Sequence, residues 1–262
     1  MLSIANYARP STLEDAYALS QEKGSVILGG MLWLRLQNKK VSTAVDLCEL
    51  GLDRIEDCGD CFRIGASVTL RQLETHEGLN RLTCGAMKNA LSPIVGVQLR
   101  NLATVGGSVF GRFGFSDVLT LFLALGASVE LYAGGTISLA QFAEMGKVNN
   151  LLTHVIVPKT PVRAVYLAQR NAAADFPVLT TAAVMRMSDG KLRCAVGARP
   201  LHAVLLPEFD LARANADGIA DYAGNAADSL VFASNRRASE EYRRHLCRVL
   251  LRRAAETLRK GE

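Results

Sequence analysis

The segment Gly96-Val-Gln-Leu-Arg-Asn-Leu-Ala-Thr-Val-Gly-Gly-Ser-Val109 decides how this chain is read. Its Gly106-Gly107 pair follows the short step Thr104-Val105. An upstream pair, Gly29-Gly30, follows Val26-Ile-Leu28 in the same way. Glycine lets a backbone approach a ligand closely and turn its N–H groups towards it. Two such loops facing each other could cradle a pyrophosphate through backbone donors, although each pair alone is also a tight turn. Familiar phosphate loops do not fit. Gly24-Ser-Val-Ile-Leu-Gly29 has the glycine spacing of a P-loop, but Gly30-Met31 stands where Lys and Ser or Thr are required, and no G-x-G-x-x-G occurs. Spacing alone therefore reaches an α/β protein with two candidate anion-binding loops.

On the N-terminal side of these loops, Ser11 or Thr12 caps a helix to about residue 23, with Glu14 and Asp15 in its first turn. Residues 25–28 read as a buried strand, 31–36 as a helix and 43–47 as a second strand. Residues 61–68 alternate like a half-buried strand, and 69–77 and 79–91 read as helices. The stretch 98–117 reads as extended and punctuated by glycine, followed by an apolar helix over 117–125. A hairpin about Gly134-Gly135 and a strand over 151–157, ended by Pro158, come next. Past 158–161, strands are predicted over 164–170, 180–187 and 191–197, with Ser188-Asp189-Gly190 as a hairpin turn, and helices from about Asp210. The pattern is α+β. Residues 1–160 form two lobes, about 1–53 and 54–160, and 161–262 form a smaller sheet-plus-helices domain.

A chain of 262 residues has room for about two domains, and 49% hydrophobic residues exclude wholesale disorder. The longest apolar stretch, 118–129, is broken by Thr120 and Gly126 and falls short of the ~20 residues of a membrane helix. The opening residues lack a basic segment followed by an apolar run, so a cytoplasmic protein without membrane contact is expected. Six cysteines make no disulfide framework. The pair Cys58-Gly-Asp-Cys61 stands alone, and neither the other cysteines nor the scattered histidines show metal-ligand spacing. No metal site, nucleophile elbow or acid/base pair is predicted. The net charge of +5 sits in residues 232–262, which hold nine Lys+Arg and four Asp+Glu. There Tyr242, Leu246, Val249, Leu250 and Leu258 form an apolar stripe at helical spacing, so the basic residues read as a solvated helix face and no nucleic-acid partner is expected.

The stretch 96–109, followed by Phe115-Ser-Asp117, resembles the FAD-binding subunit of molybdenum hydroxylases, the xanthine dehydrogenase and carbon monoxide dehydrogenase medium-subunit type. That family carries an R-N-x-A-T-x-G-G-N run with an Asp nine residues beyond the Asn; here Ser108 takes the Asn place and Asp117 stands nine residues on. Ile27-Leu-Gly-Gly30 is similar to its A-G-G-T loop, with Met31 in the Thr place, and residues 63–70 to its I-G-A-x-x-T-L run. Arg170 with Ala174-Asp-Phe176, Gly197-Ala-Arg-Pro200, and Ser239-Glu-Glu-Tyr-Arg-Arg-His-Leu246 resemble its C-terminal domain.

The resemblance implies the two-lobed FAD-binding fold of the vanillyl-alcohol-oxidase (PCMH) type with a small C-terminal domain. It implies non-covalent FAD held by Val26, Ile27, Leu28, Gly29, Gly30, Met31, Leu32 and Trp33 on one loop and by Thr104, Val105, Gly106, Gly107 and Ser108 on the other. Backbone N–H groups are expected to carry most of the pyrophosphate binding, helped by the Thr104 hydroxyl. Asp117 is expected to bind a sugar or ribityl hydroxyl, Ile94 to make an apolar contact, Leu151 or Leu152 to contact the adenine side, and Phe176 to lie near the isoalloxazine. Asp117 as a plain helix cap remains open. In the implied scheme a molybdopterin subunit hydroxylates a heterocycle such as a purine, an iron–sulfur subunit relays electrons, and FAD passes them to NAD+. The chain itself holds no catalytic residue for hydroxylation. Alternatives are a flavin-free assembly subunit of such a complex, motivated by Met31 and Ser108, and an oxygen-reactive oxidase, for which there is little room for a cap domain.

Overall fold

A computed structural model describes residues 1–260; Gly261 and Glu262, the end of the expected C-terminal domain, lie outside the described residues. The chain begins with β1 (Ser3–Ala8), α1 (Leu13–Gln21), β2 (Ser25–Leu28) and β3 (Lys40–Asp46). The strands form a parallel sheet in the order β1-β3-β2, with Ile27 opposite Val45. Thr12 caps α1 by accepting from the Asp15 N–H at 3.1 Å. β1 has no counterpart in the sequence reading, because it is exposed along nearly its whole length and shows no alternation. The expected helix over 31–36 is a single 3-10 turn at Leu34–Leu36, since Met31 takes a left-handed φ of 55° that interrupts it.

The middle of the chain supplies β4 (Ile55–Asp57), β5 (Cys61–Gly65), α2 (Leu70–Thr75), α3 (Glu77–Leu82), α4 (Ala86–Leu91), α5 (Val97–Arg100), α6 (Val105–Phe110), α7 (Asp117–Leu125), β6 (Ser128–Leu131), β7 (Gly135–Ser138), α8 (Leu139–Glu144) and β8 (Leu152–Pro158). Its antiparallel sheet runs β4-β5-β8-β6-β7. The helix predicted over 79–91 is two helices, broken by left-handed Cys84 and Gly85. The stretch 98–117 is not extended: it holds α5 and α6. Glycine is a poor helix former, but Thr104 caps α6 by accepting from the Gly107 N–H at 3.1 Å, and Val105 and Val109, four residues apart, are both fully buried. Packing of that face overrides propensity. All nine residues of α7 are buried, as befits a helix apolar nearly all round.

The last part adds β9 (Val162–Arg170), β10 (Pro177–Arg186), β11 (Lys191–Gly197), β12 (Val204–Leu205), β13 (Phe209–Asp210), α9 (Ala216–Ser229) and α10 (Glu240–Lys260). The sheet runs β12-β11-β10-β9, with β13 also on β11. One face packs on α9 and α10 through Leu246, Leu250, Leu251 and Leu258; the other meets α7 in the main core, where Thr120 and Thr180 share a buried hydrogen bond of 3.1 Å. Among the described residues no helix is long and apolar enough to cross a membrane.

Candidate functional site

The three sheets converge on one cleft of about 480 Å³, within the range usual for small-molecule sites. Its walls bring together the loop after β2, the start of α6, the turn before α7, Leu151 and Leu152 at β8, and Arg170 with Ala174–Pro177 between β9 and β10. Every expected site residue lines it except Val105, whose side chain is fully buried in the core beneath α6.

The glycine pairs differ in purpose. A Cβ on Gly30 would lie 1.8 Å from the Leu102 carbonyl oxygen, one on Gly29 2.9 Å from Thr104 Oγ1, and one on Gly106 2.8 Å from the Ala66 carbonyl oxygen. These three are glycines because the loops press against each other and against β5's end. A Cβ on Gly107 would meet only Thr104 Oγ1, at 3.2 Å. The space above Gly107 is cleft, and a side chain there would intrude on a ligand without disturbing the fold.

The donors also differ from expectation. Because residues 105–110 are helical, the second loop's N–H groups are engaged: Val105 with Val68 O, Gly106 with Ala66 O, Gly107 with Thr104 Oγ1 and Ser108 with Thr104 O. The Ser108 hydroxyl also turns inward, donating to Thr104 O at 2.9 Å. The first loop is the open one. Among the described residues, the N–H groups of Gly30, Met31, Leu32 and Trp33 reach no acceptor. Gly30, Met31 and Leu32 are half-buried and Trp33 is exposed, and buried backbone donors are normally paired, so this run on a cleft wall can receive an anion. The Thr104 hydroxyl accepts in its capping bond and keeps its proton for a ligand.

Asp117 opens α7 but does not cap it; Ser116 Oγ does, accepting from the Leu119 N–H at 3.1 Å. The Asp117 carboxylate is 4% exposed, and its Oδ1 accepts from Tyr166 Oη at 2.5 Å and Arg170 Nη2 at 2.6 Å. Both contacts fall on Oδ1, which leaves Oδ2 for a ligand hydroxyl. Burial pushes the carboxyl's pKa up, while the Arg170 charge and the phenol pull it down. Burial and the neighbouring carboxylate hold the Tyr166 phenol well above its ordinary value, so it stays a neutral donor.

At one end of the cleft four rings meet that are far apart in sequence. Trp33 lies 5.1 Å from Phe115 and 5.6 Å from Phe176, Phe115 lies 4.5 Å from Phe176, and Phe113 stacks on Phe115 at 5.3 Å. Arg237 covers Phe176 at 4.8 Å and pairs with Asp175 at 3.0 Å. Phe113, Phe115 and Val95 are lining residues that the sequence reading did not include. Separation hides the ring cluster, and no pattern marks Val95. Val95 and Met31 hold left-handed φ values of 49° and 55°, and Arg112, at 45°, sits between two lining residues. Such strain gathers at functional sites.

A model of the FAD-binding domain in molybdopterin dehydrogenases matches residues 3–160. The chain belongs to this family. It is 25% identical over 276 residues to the nicotine 6-hydroxylase medium subunit of Paenarthrobacter nicotinovorans, covering 96% of each chain. It is 25% identical over 282 residues to the xanthine dehydrogenase FAD-binding subunit of Escherichia coli O157:H7, covering 97% of this chain and 95% of that one. The solved structure of reconstituted CO dehydrogenase from Oligotropha carboxidovorans shares the fold, with a TM-score of 0.86 and 22% identity over 98% of both chains. The α+β architecture expected from the sequence is thus that of a molybdenum hydroxylase medium subunit, and the family's cofactor is FAD. The residues fit it: a floor over Gly107 that a Cβ would fill, four free N–H donors, a free carboxylate oxygen, and a mainly apolar cleft ending in aromatic rings.

Proposed function

We propose that this medium subunit is the electron-transfer flavoprotein of a multi-subunit molybdenum hydroxylase, receiving electrons from a partner iron–sulfur subunit and delivering them to NAD+. A molybdopterin-binding partner would activate the substrate, in keeping with the nicotine and xanthine enzymes whose subunits it resembles. The observation that carries this reading is the pairing of the open N–H run at residues 30–33 with the Gly107 floor. When bound non-covalently, FAD supplies the exchange between single-electron and hydride transfer. The chain's own residues place it. Gly30 to Trp33 and the Thr104 hydroxyl would hold the pyrophosphate, Asp117 Oδ2 would accept from a sugar or ribityl hydroxyl, and Ile94, Leu151 and Leu152 would bury apolar edges. Phe176 and its neighbours exclude water from the isoalloxazine end. The xanthine dehydrogenase likeness favours NAD+ as acceptor. Among the described residues no group of three or more His, Cys, Asp or Glu is placed to hold a metal ion, and the iron–sulfur and molybdenum ligands are assigned to the partners.

The test is to load the isolated chain with FAD and assay NADH-dependent dye reduction and heterocycle hydroxylation, then repeat with the partner subunits. Dye reduction by the chain alone, with hydroxylation only in the complex, is expected. Hydroxylation by the lone chain would overturn the relay, and bound FAD without NADH oxidation would overturn NAD+ as acceptor.

A further inference from the structure

We infer that Arg243 is a positioning residue for the aromatic end of the cleft: one buried guanidinium fixes, through three tethers, the loops that carry Phe113, Phe115 and Phe176. The inference rests on the reading of that cleft as the flavin site. Arg243, on α10, is 1% exposed and the largest fully buried side chain, yet it belongs to no ion pair among the described residues. Buried cations are ordinarily paired with carboxylates. This one instead binds neutral acceptors.

Nη1 donates to the carbonyl of Val178, two residues beyond Phe176, and to that of Ala198 at 2.5 Å. Ala198 is itself left-handed, with φ 58°, and its N–H donates to Gly114 O at 2.7 Å, between Phe113 and Phe115. Nη2 donates to Asn235 Oδ1 at 2.6 Å. The same oxygen accepts from the Arg237 N–H at 2.9 Å, and the Arg237 guanidinium covers Phe176. All three tethers lead to the rings. An apolar side chain would fill this volume, but only a planar guanidinium with a fixed fork of donors satisfies three acceptors at once. Keeping an unpaired cation at this depth is the mark of a geometric task, because burial works against its charge.

The experiment uses the full chain and its sole tryptophan, Trp33, which touches three of the cluster's rings. Arg243→Lys, Arg243→Met and Asn235→Ala are compared with wild type for melting temperature, Trp33 emission far below melting, and FAD affinity by titration. Arg243→Met is expected to red-shift Trp33 emission and weaken FAD by about tenfold or more, the worth of one lost hydrogen bond or above. Arg243→Lys, able to reach fewer acceptors, should fall between. Asn235→Ala, nearer the surface, should move both readouts in the same direction with little loss of melting temperature, and it decides the matter if Arg243→Met does not fold. Variants that melt earlier but keep wild-type Trp33 emission and FAD affinity would overturn the inference. Were the wild type to take up no FAD, the flavin reading would fail, while Trp33 emission would still decide on the tethers.

Discussion

Substituting Gly107 separates folding from cofactor binding. Gly107 lies within α6 at an ordinary φ, and its Cβ would meet only Thr104 Oγ1, at 3.2 Å. Alanine in place of glycine within a helix gains roughly 0.5–1 kcal/mol, against a shift of Thr104 by a few tenths of an ångström. Gly107→Ala should therefore stay within about 1 kcal/mol of wild type, or roughly 2–4 °C in melting temperature for a chain of this size. The new methyl would stand over the cleft floor and push a phosphate from its donors. A hydrogen bond to a charged group is worth about 1.5–3 kcal/mol, so FAD affinity should fall by about ten- to a hundredfold, and Gly107→Val should abolish it. The assay is a flavin titration beside a thermal melt. By contrast, Gly30→Ala drives a Cβ to 1.8 Å from Leu102 O and should damage the fold itself. Wild-type FAD affinity in a folded Gly107→Val protein would refute the argument that this glycine floors the pyrophosphate site.

Three further outcomes follow from the same geometry. Asp117→Ala strips the carboxylate from Arg170, whose side chain is only 9% exposed, and breaking such a buried pair should cost about 3–5 kcal/mol in urea unfolding as well as FAD affinity; Asp117→Asn should cost less of both. Met31→Gly removes the penalty of a left-handed φ, about 1–2 kcal/mol, and should leave the protein at least as stable with FAD affinity kept, as its N–H is untouched; a less stable variant would show that the Met31 side chain packs. Burial and the Arg63 charge hold the His154 pKa down, and among the described residues its Nδ1 makes no hydrogen bond although Glu130 Oε2 lies 3.8 Å away. The unfolded chain then takes up a proton near pH ~6.5 that the folded chain refuses, so stability falls as pH drops through that range, by at most about 1.4 kcal/mol per pH unit for one proton. His154→Asn should flatten the dependence between pH 7.5 and 5.5, to which His76, also depressed by burial, contributes.

Much of the site was legible because its glycines are local signals. Gly30 and Gly106 are dictated by backbone contacts and Gly29 by the Thr104 hydroxyl, and such contacts leave glycine in the sequence where little else fits. A near-continuous apolar run likewise marked α7, and the positive-φ turn at Gly190 marked the β10–β11 hairpin. What the sequence concealed depends on long-range packing. Helix α6 carries two glycines and forms because Val105 and Val109 enter the core and Thr104 caps it. That helix consumes the second loop's N–H groups, so the open donors moved to the first loop, which no local pattern could disclose. The β1 strand is exposed and paired only through β3. The ring cluster unites residues 33, 113, 115 and 176 across three segments, and the Arg243 tethers span as much of the chain.

The central claim is that this cleft holds a flavin dinucleotide through contacts from residues 30–33 and the Gly107 floor. The most direct measurement is to purify the chain, alone or with its partners, precipitate it with acid, and identify and count the flavin released. About one FAD per chain in the supernatant is predicted, since the cleft offers donors for a pyrophosphate and no attachment is proposed. FMN in its place, flavin retained in the precipitate, or a folded chain that neither carries nor takes up FAD would contradict the account.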